Sequence, residues 1–153
     1  MATTFDLWQR LAARPLGKRA FSLAMSLRVP YFRTILPTVV EMRPGFAEVH
    51  APKWWGVHNH LGTFHAIAAC NLAEVAMGML AEATVPPTHR WIPRAMTVDY
   101  LAKAKTGLRA IAQLAPIPTF TDDPVDLPVP VLVYDKPGTV VVQATITIKI
   151  SPT

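Results

Sequence analysis

Glu74 is the side chain in this sequence best placed to do chemistry. It is the only charged residue between Lys53 and Glu82, within a run from Phe64 to Ala83 that is rich in Ala, Leu and Met. Those residue types favour helix, and a helix that is apolar on nearly every face is a buried one. A carboxylate in such a helix is costly to desolvate unless it is paired or employed. Burial disfavours the charged form, so Glu74 is expected to titrate above an exposed Glu, as suits a general base. The competing expectation is a Glu that reaches solvent from a bend or a helix edge.

The segment Asn59-His60-Leu61-Gly62-Thr63-Phe64-His65-Ala66 leads straight into this helix. It brings an amide side chain and an imidazole to a helix start, whose free N–H groups and partial positive charge can polarise a carbonyl and hold an oxyanion. At a rise of about 1.5 Å per residue, Glu74 lies roughly 12 Å along the axis from those donors. One small carbonyl cannot span that offset unless the helix starts irregularly or a second subunit supplies one of the groups. Asn71 lies one turn before Glu74 on the same face, where it meets either the carboxylate or another buried polar group. His58, His60 and His65 have the look of a metal cluster, but a metal-binding barrel needs strands after them and a helix follows. They are read as loop and turn residues, and no metal or cofactor is expected. His50 and His89 have no nameable partners. Trp54-Trp55 reads as a cover for the open end of a sheet, ahead of a pocket wall.

The elements that must position these residues follow from pattern. At 153 residues and 16.8 kDa the chain reads as one domain able to bury a real core. A hydrophobic content of 51% and mean hydropathy of +0.27 lie at the apolar end for a soluble protein. Leu61–Ala81 is long enough to span a bilayer, but His65, Asn71 and Glu74 interrupt it, so a buried core helix is the better reading. The apolar excess points to an oligomer interface. The one cysteine, Cys70, excludes an intramolecular disulfide and reads as a small core residue. The first apolar run is broken by Asp6, Arg10, Arg14 and Lys18-Arg19, which is unlike a secretory signal, so a cytoplasmic location is expected.

The net charge of +5 is concentrated early, where Arg10, Arg14, Lys18, Arg19, Arg28, Arg33 and Arg43 face only Asp6 and Glu41. This favours an anionic partner such as a phosphorylated ligand or a lipid surface over nucleic acid, for which no motif is present. Residues 1–33 form a helical prefix. Phe5, Trp8, Leu11 and Ala12 pattern a first helix that stops at Pro15, and Leu16–Leu27 a second with Ala20, Phe21, Ala24 and Leu27 on one face. The prefix is expected to cap the core, with membrane docking as the lesser reading. Strands follow at Thr38–Met42 and Phe46–Ala51 around an Arg43-Pro44-Gly45 turn, then the apolar helix, stopped by Pro86-Pro87. Strands at Ala95–Ala104, Leu108–Ala115, Val129–Tyr134 and Thr139–Ile150 complete residues 38–150, with Ile117–Pro128 an exposed loop. The long β-branched last run should be central in its sheet. One apolar helix beside an antiparallel sheet suggests an α+β fold in which the sheet wraps the helix.

Asn59, His65 six positions on, and Glu74 nine further, preceded by Leu72-Ala73, resemble the hotdog-fold thioesterases of the phenylacetate-degradation type. Those proteins carry an Asn, a His-Gly-Gly at the helix start, and Leu-Ala before an Asp or Glu. Val98-Asp99-Tyr100-Leu101-x-Lys103-Ala104 and Tyr134-Asp135-Lys136-Pro137-Gly138 extend the resemblance over roughly Val39–Ile150. The prefix with Pro30-Tyr31 resembles a branch of that superfamily with no assigned function. The resemblance implies hydrolysis of an acyl thioester such as acyl-CoA, at sites on the interface of a homodimer or homotetramer. Glu74 would activate water or attack, the Ala66 amide would polarise the carbonyl, His65 would order the turn, and Asn59 would hold the water or the carboxylate. Gly62, Ile67 and Asn71 would complete the oxyanion and substrate contacts, and Lys103, Lys105, Arg109 and Arg94 are candidates for the phosphates of coenzyme A, against a solvated face. Two departures matter: Ala66-Ile67 stands where the family has Gly-Gly, and Trp91-Ile92-Pro93-Arg94 offers no hydroxyl before Thr97. They leave a non-catalytic acyl or lipid binder as the alternative.

Overall fold

The computed structural model describes residues 3–153. Helix α1 (Thr4–Ala12) and helix α2 (Gly17–Arg28) lead into a 3-10 segment, Pro30–Ile35. Strands β1 (Thr38–Arg43) and β2 (Phe46–Ala51) precede the long helix α3 (Ala66–Thr84). Strands β3 (His89–Tyr100), β4 (Leu108–Gln113), β5 (Val125–Tyr134) and β6 (Val140–Pro152) complete the chain. All six strands join one antiparallel sheet in the order β1-β2-β4-β5-β6-β3. The sheet curves around α3, which is the hotdog arrangement expected from the sequence.

Side-chain size explains how α3 fits. The helix packs mainly against β2 and β4. There the sheet presents small residues, Ala47, Ala51, Ala110 and Ala112, all buried. Small side chains at that contact let the helix sit close, and Leu72, Met77 and Leu80 are buried in one core with the valines and isoleucines of β5 and β6. Burying one such side chain contributes roughly 1.5–3 kcal/mol, so Leu72→Ala would open a cavity costing about 2–5 kcal/mol. By length and composition α3 could cross a bilayer, yet most of it is covered by the sheet. At its far end Thr84 Oγ1 accepts from the N–H of Gly45 at 2.9 Å. Gly45 forms the β1–β2 turn with φ +75°, and a Cβ there would meet the Leu114 carbonyl oxygen at 2.8 Å.

Two strands begin earlier than the alternation suggests. β3 starts at His89, because Trp91 and Ile92 pair with Ile150 and Lys149 of β6. β5 starts at Val125, inside the segment expected to be a loop. Its first residues pair with β6 alone, since β4 pairs only with Val131–Tyr134. The side facing away from β6 is therefore a local edge, where Pro128 and Pro130 leave no ladder donor missing. β6 lies between β5 and β3, as its β-branched run implies.

The prefix caps the sheet next to β1 and α3. A capping box starts α1: Asp6 N–H donates to Thr3 Oγ1, and Thr3 N–H donates to the Asp6 carboxylate. Trp8 meets Phe21 edge to face at 5.1 Å between ring centres, and both are buried with Met25 and Ile35. Buried Ser22 donates to the Lys18 carbonyl at 2.7 Å and accepts from Val39 N–H of β1 at 2.8 Å. The inward face of α2 is thus Phe21, Ser22, Met25 and Ser26, and it does not include Leu27 or Ala20, which are exposed. That corrects the face read from the sequence, where apolar residues on both sides of α2 obscured which side packs.

Candidate active site

His65 sets the start of α3. It is the N-cap, with extended backbone, and its Nδ1 accepts from Ile67 N–H at 3.1 Å. Its own N–H donates to the Val57 carbonyl at 2.7 Å, and Phe64 N–H donates to the Ala104 carbonyl at 2.8 Å, so the helix start is pinned on both sides. The cap consumes the Ile67 donor. The Ala66 and Ala68 N–H groups have no hydrogen-bond partner among the described residues, and of the two only Ala66 borders the neighbouring cavity. The Ile67 side chain is exposed beside it.

Asn59 organises the loop before the helix. Its Oδ1 accepts from Leu61 N–H at 3.0 Å and Thr63 N–H at 3.1 Å, and its Nδ2 donates to Thr63 Oγ1 at 2.8 Å. Gly62 closes the turn by donating to the Asn59 carbonyl at 3.0 Å, with φ +69°. Asn59, Thr63, Phe64, Ala66, Tyr100 and Lys103 border a cavity of about 370 Å³. Neither Trp54 nor Trp55 borders it; Trp54 lies over Gly56, and Trp55 is exposed. A larger cleft, about 930 Å³, lies between Arg19, His50, Lys53, Arg109 and Lys136 and contains none of these site residues. Size does not decide between them, because only the smaller one borders the helix start.

Glu74 is half-buried and makes no hydrogen bond or ion pair among the described residues. Helical spacing puts Ile67, Cys70 and Glu74 on one stripe. Ile67 is exposed and the other two partly so, while most of the middle of the helix, from Asn71 to Ala81, is buried around Glu74. Glu74 does not border the cavity that holds Asn59 and Ala66. The structure therefore gathers Asn59, Gly62, His65, Ala66 and Ile67 at the helix start and leaves Glu74 about two turns away, as the rise per residue implies. Asn71 belongs to neither group. It is buried, and its Nδ2 donates to Thr34 Oγ1 at 3.2 Å and towards the Tyr31 carbonyl at 3.4 Å. Its amide holds the 3-10 segment of the prefix against α3.

Tyr100 belongs to the strand motif of the resemblance, but the sequence assigns it no role at the site. It ends β3, borders the cavity, and its hydroxyl lies 3.3 Å from Cys70 Sγ. The hydrogen bond to Cys70 raises the Tyr100 pKa, with smaller contributions from burial and the nearby thiol. Cys70 is therefore half-exposed at the site, not a core residue. The only available signal was its position four residues before Glu74. Of the proposed phosphate contacts, Lys103 borders the cavity, whereas Arg94 pairs with Asp126 and Arg109 lies over the Tyr134 ring and 4.0 Å from Glu48. No group of three or more metal-binding side chains forms among the described residues, and His58 and His60 are exposed loop residues.

The chain resembles the crystal structure of genomics APC5556, at 41% identity over 98% of each chain and a TM-score of 0.84. PA5026 from Pseudomonas aeruginosa, a protein of unknown function described as a probable thioesterase, shares 19% identity over 84% of this chain and 91% of its own, with a TM-score of 0.73. The thioesterase SAV0944 from Staphylococcus aureus, solved as a mutant, shares 15% identity over 80% of this chain and 99% of its own, with a TM-score of 0.69. These two likenesses establish the shared fold. No curated protein matches the sequence. Residues 17–150, from α2 to the last strand, match the family model DUF4442, a domain of unknown function, and the chain belongs to that family.

Proposed function

We propose that this protein hydrolyses an acyl thioester of the acyl-CoA class, with Glu74 as general base or nucleophile. The observation that carries the reading is the Glu74 carboxylate, without a partner among the described residues, on a partly open stripe of the central helix. In the base route, Glu74 takes a proton from water as the water oxygen bonds to the thioester carbonyl carbon. The Ala66 N–H stabilises the resulting oxyanion. Collapse of the tetrahedral intermediate breaks the carbon–sulfur bond, and the departing thiolate takes up a proton.

The offset of about 12 Å along α3 keeps one chain's Glu74 and Ala66 from serving the same carbonyl. The catalytic unit is therefore a dimer, each site taking Glu74 from one protomer and the Ala66 amide from its partner. β3 supports this arrangement: among the described residues it pairs with β6 alone, and its other edge is open over Ile92, Met96 and Tyr100, all exposed. Thioesterase designations among proteins of the same fold agree with the reaction class.

A non-catalytic acyl-binding role is the second reading. It is favoured by the commitments at the helix start, where His65 occupies the Ile67 amide and the Asn59 oxygen is held by its own loop. Thiol release from acyl-CoA substrates of varied chain length, by wild type and Glu74→Gln, distinguishes the readings. Loss of general-base catalysis lowers turnover by about 10²–10⁴. Turnover that survives in Glu74→Gln removes the catalytic assignment, and binding without turnover in wild type supports the second reading.

A further inference from the structure

Helix α2 has two apolar faces, and the fold covers only one. Phe21 and Met25 point inwards with Ser22 and Ser26. On the opposite side Leu16 is 73% exposed, Leu23 59% and Leu27 62%, with exposed Ala20 between them. Within the helix, Ala20, Leu23 and Leu27 follow the spacing i, i+3, i+7, which draws one stripe along it, and Leu16 is the N-cap residue just before it. Arg19 and Arg28 are exposed charges on the same helix. Just beyond the helix, Val29 and Tyr31 are also exposed, the latter by 62%. A single exposed leucine is ordinary in a folded protein, but a row of them on one helix face marks a contact surface.

Charge identifies what the surface meets. Between Asp6 and Glu41 the sequence holds six cations and no acid: Arg10, Arg14, Lys18, Arg19, Arg28 and Arg33. Lys18 is engaged within the fold, donating to the Val40 carbonyl at 2.6 Å and lying over the Trp8 ring. The five arginines form no ion pair among the described residues. A second copy meeting this face would bring its own cations against these, which disfavours self-association. An anionic leaflet offers both an apolar interior and complementary headgroups.

We propose that α2 docks the protein on an anionic lipid surface, Leu16, Leu23 and Leu27 entering the acyl boundary while Arg14, Arg19 and Arg28 meet headgroup phosphates. Nothing inside the fold moves, because the inward face of α2 keeps its contacts. The inference rests on α2 and the residues that flank it, and is independent of turnover at Glu74.

The test is sedimentation of the full chain with vesicles of phosphatidylcholine and phosphatidylglycerol in equal parts, and with phosphatidylcholine alone. Wild type binds the anionic vesicles, is released by salt, and does not bind the neutral ones. Arg19→Gln weakens binding about fivefold. Leu23→Glu/Leu27→Glu weakens it by more than about tenfold, with circular dichroism and thermal midpoint retained. Leu23→Ser/Leu27→Ser repeats the measurement if the Glu pair disturbs folding. Absence of wild-type binding to anionic vesicles, or unchanged binding by either double variant, overturns the proposal. So does a fall in assembly mass by light scattering in those variants, which would make the stripe an interface between copies.

Discussion

His65 Nδ1 accepts the backbone N–H of Ile67 at 3.1 Å, and so decides which donor the central helix has left to offer. With Ile67 committed, Ala66 carries the free amide that borders the cavity. Ala66 is also the first helical residue, and proline is tolerated at that position. His65 already has the extended backbone that a following proline requires.

Ala66→Pro is therefore expected to remove one donor while keeping the fold. Thioester turnover should fall by about 10²–10³, with the thermal midpoint close to wild type. Co-expression of Ala66→Pro with Glu74→Gln should restore activity, because one site of each mixed dimer is intact. The double variant in a single chain should restore none. Equal activity in the mixed and doubly substituted samples would rule out sites shared between protomers.

Asn71 is expected to act on stability and not on turnover. Its amide donates to Thr34 and towards Tyr31, so Asn71→Leu loses the polar link and leaves the Thr34 hydroxyl with its bond to the Tyr31 carbonyl. Urea unfolding should show a loss of about 1–3 kcal/mol, while KM is retained. A changed KM with intact stability would place Asn71 at the substrate after all.

The capping box makes α1 sensitive to acid. Hydrogen bonds from the Thr3 backbone and side chain hold the Asp6 pKa below its ordinary value, with Arg10 contributing less. A lowered folded pKa stabilises the folded form fully above the ordinary Asp value, and that contribution is lost as pH falls through the folded value. Thr3→Ala should therefore destabilise the protein at neutral pH, and the difference from wild type should shrink at the acidic end. Thermal midpoints of the two proteins across that range give the answer, and a constant difference would contradict the linkage.

Tyr100 should titrate closer to the ordinary tyrosine value once Cys70 is removed. The hydrogen bond to the thiol is the largest cause of its raised pKa, so Cys70→Ala should lower it. Ultraviolet difference titration of Tyr100→Phe against its parent, in each Cys70 background, isolates this phenol from Tyr31 and Tyr134. An identical titration in both backgrounds would mean that the contact does not persist in solution.

What the sequence made legible follows from how local each signal is. The central helix and the interior place of β6 were readable because Ala-rich and β-branched runs carry their own preference. The role of His65 in ordering the turn came only from the family resemblance, and its cap on α3 acts within two residues. The start of β5 was hidden by Pro128 and Pro130, which are permitted only because β4 has already ended. The partner of Asn71 was hidden for a similar reason, as Thr34 reaches it through the packing of the prefix. Tyr100 and Cys70 lie thirty residues apart and meet only because β3 ends beside α3.

Ser22 ties the prefix to the sheet, taking the Val39 N–H at the start of β1 while returning its own proton to Lys18. Deleting the prefix would orphan that amide and uncover the core beneath Phe21, Met25 and Ile35. Truncation would thus confuse loss of a lipid contact with loss of the native state. The first helices and the sheet stand or melt together, so evolution could recruit the outer side of α2 for a new purpose only by leaving its inner side untouched.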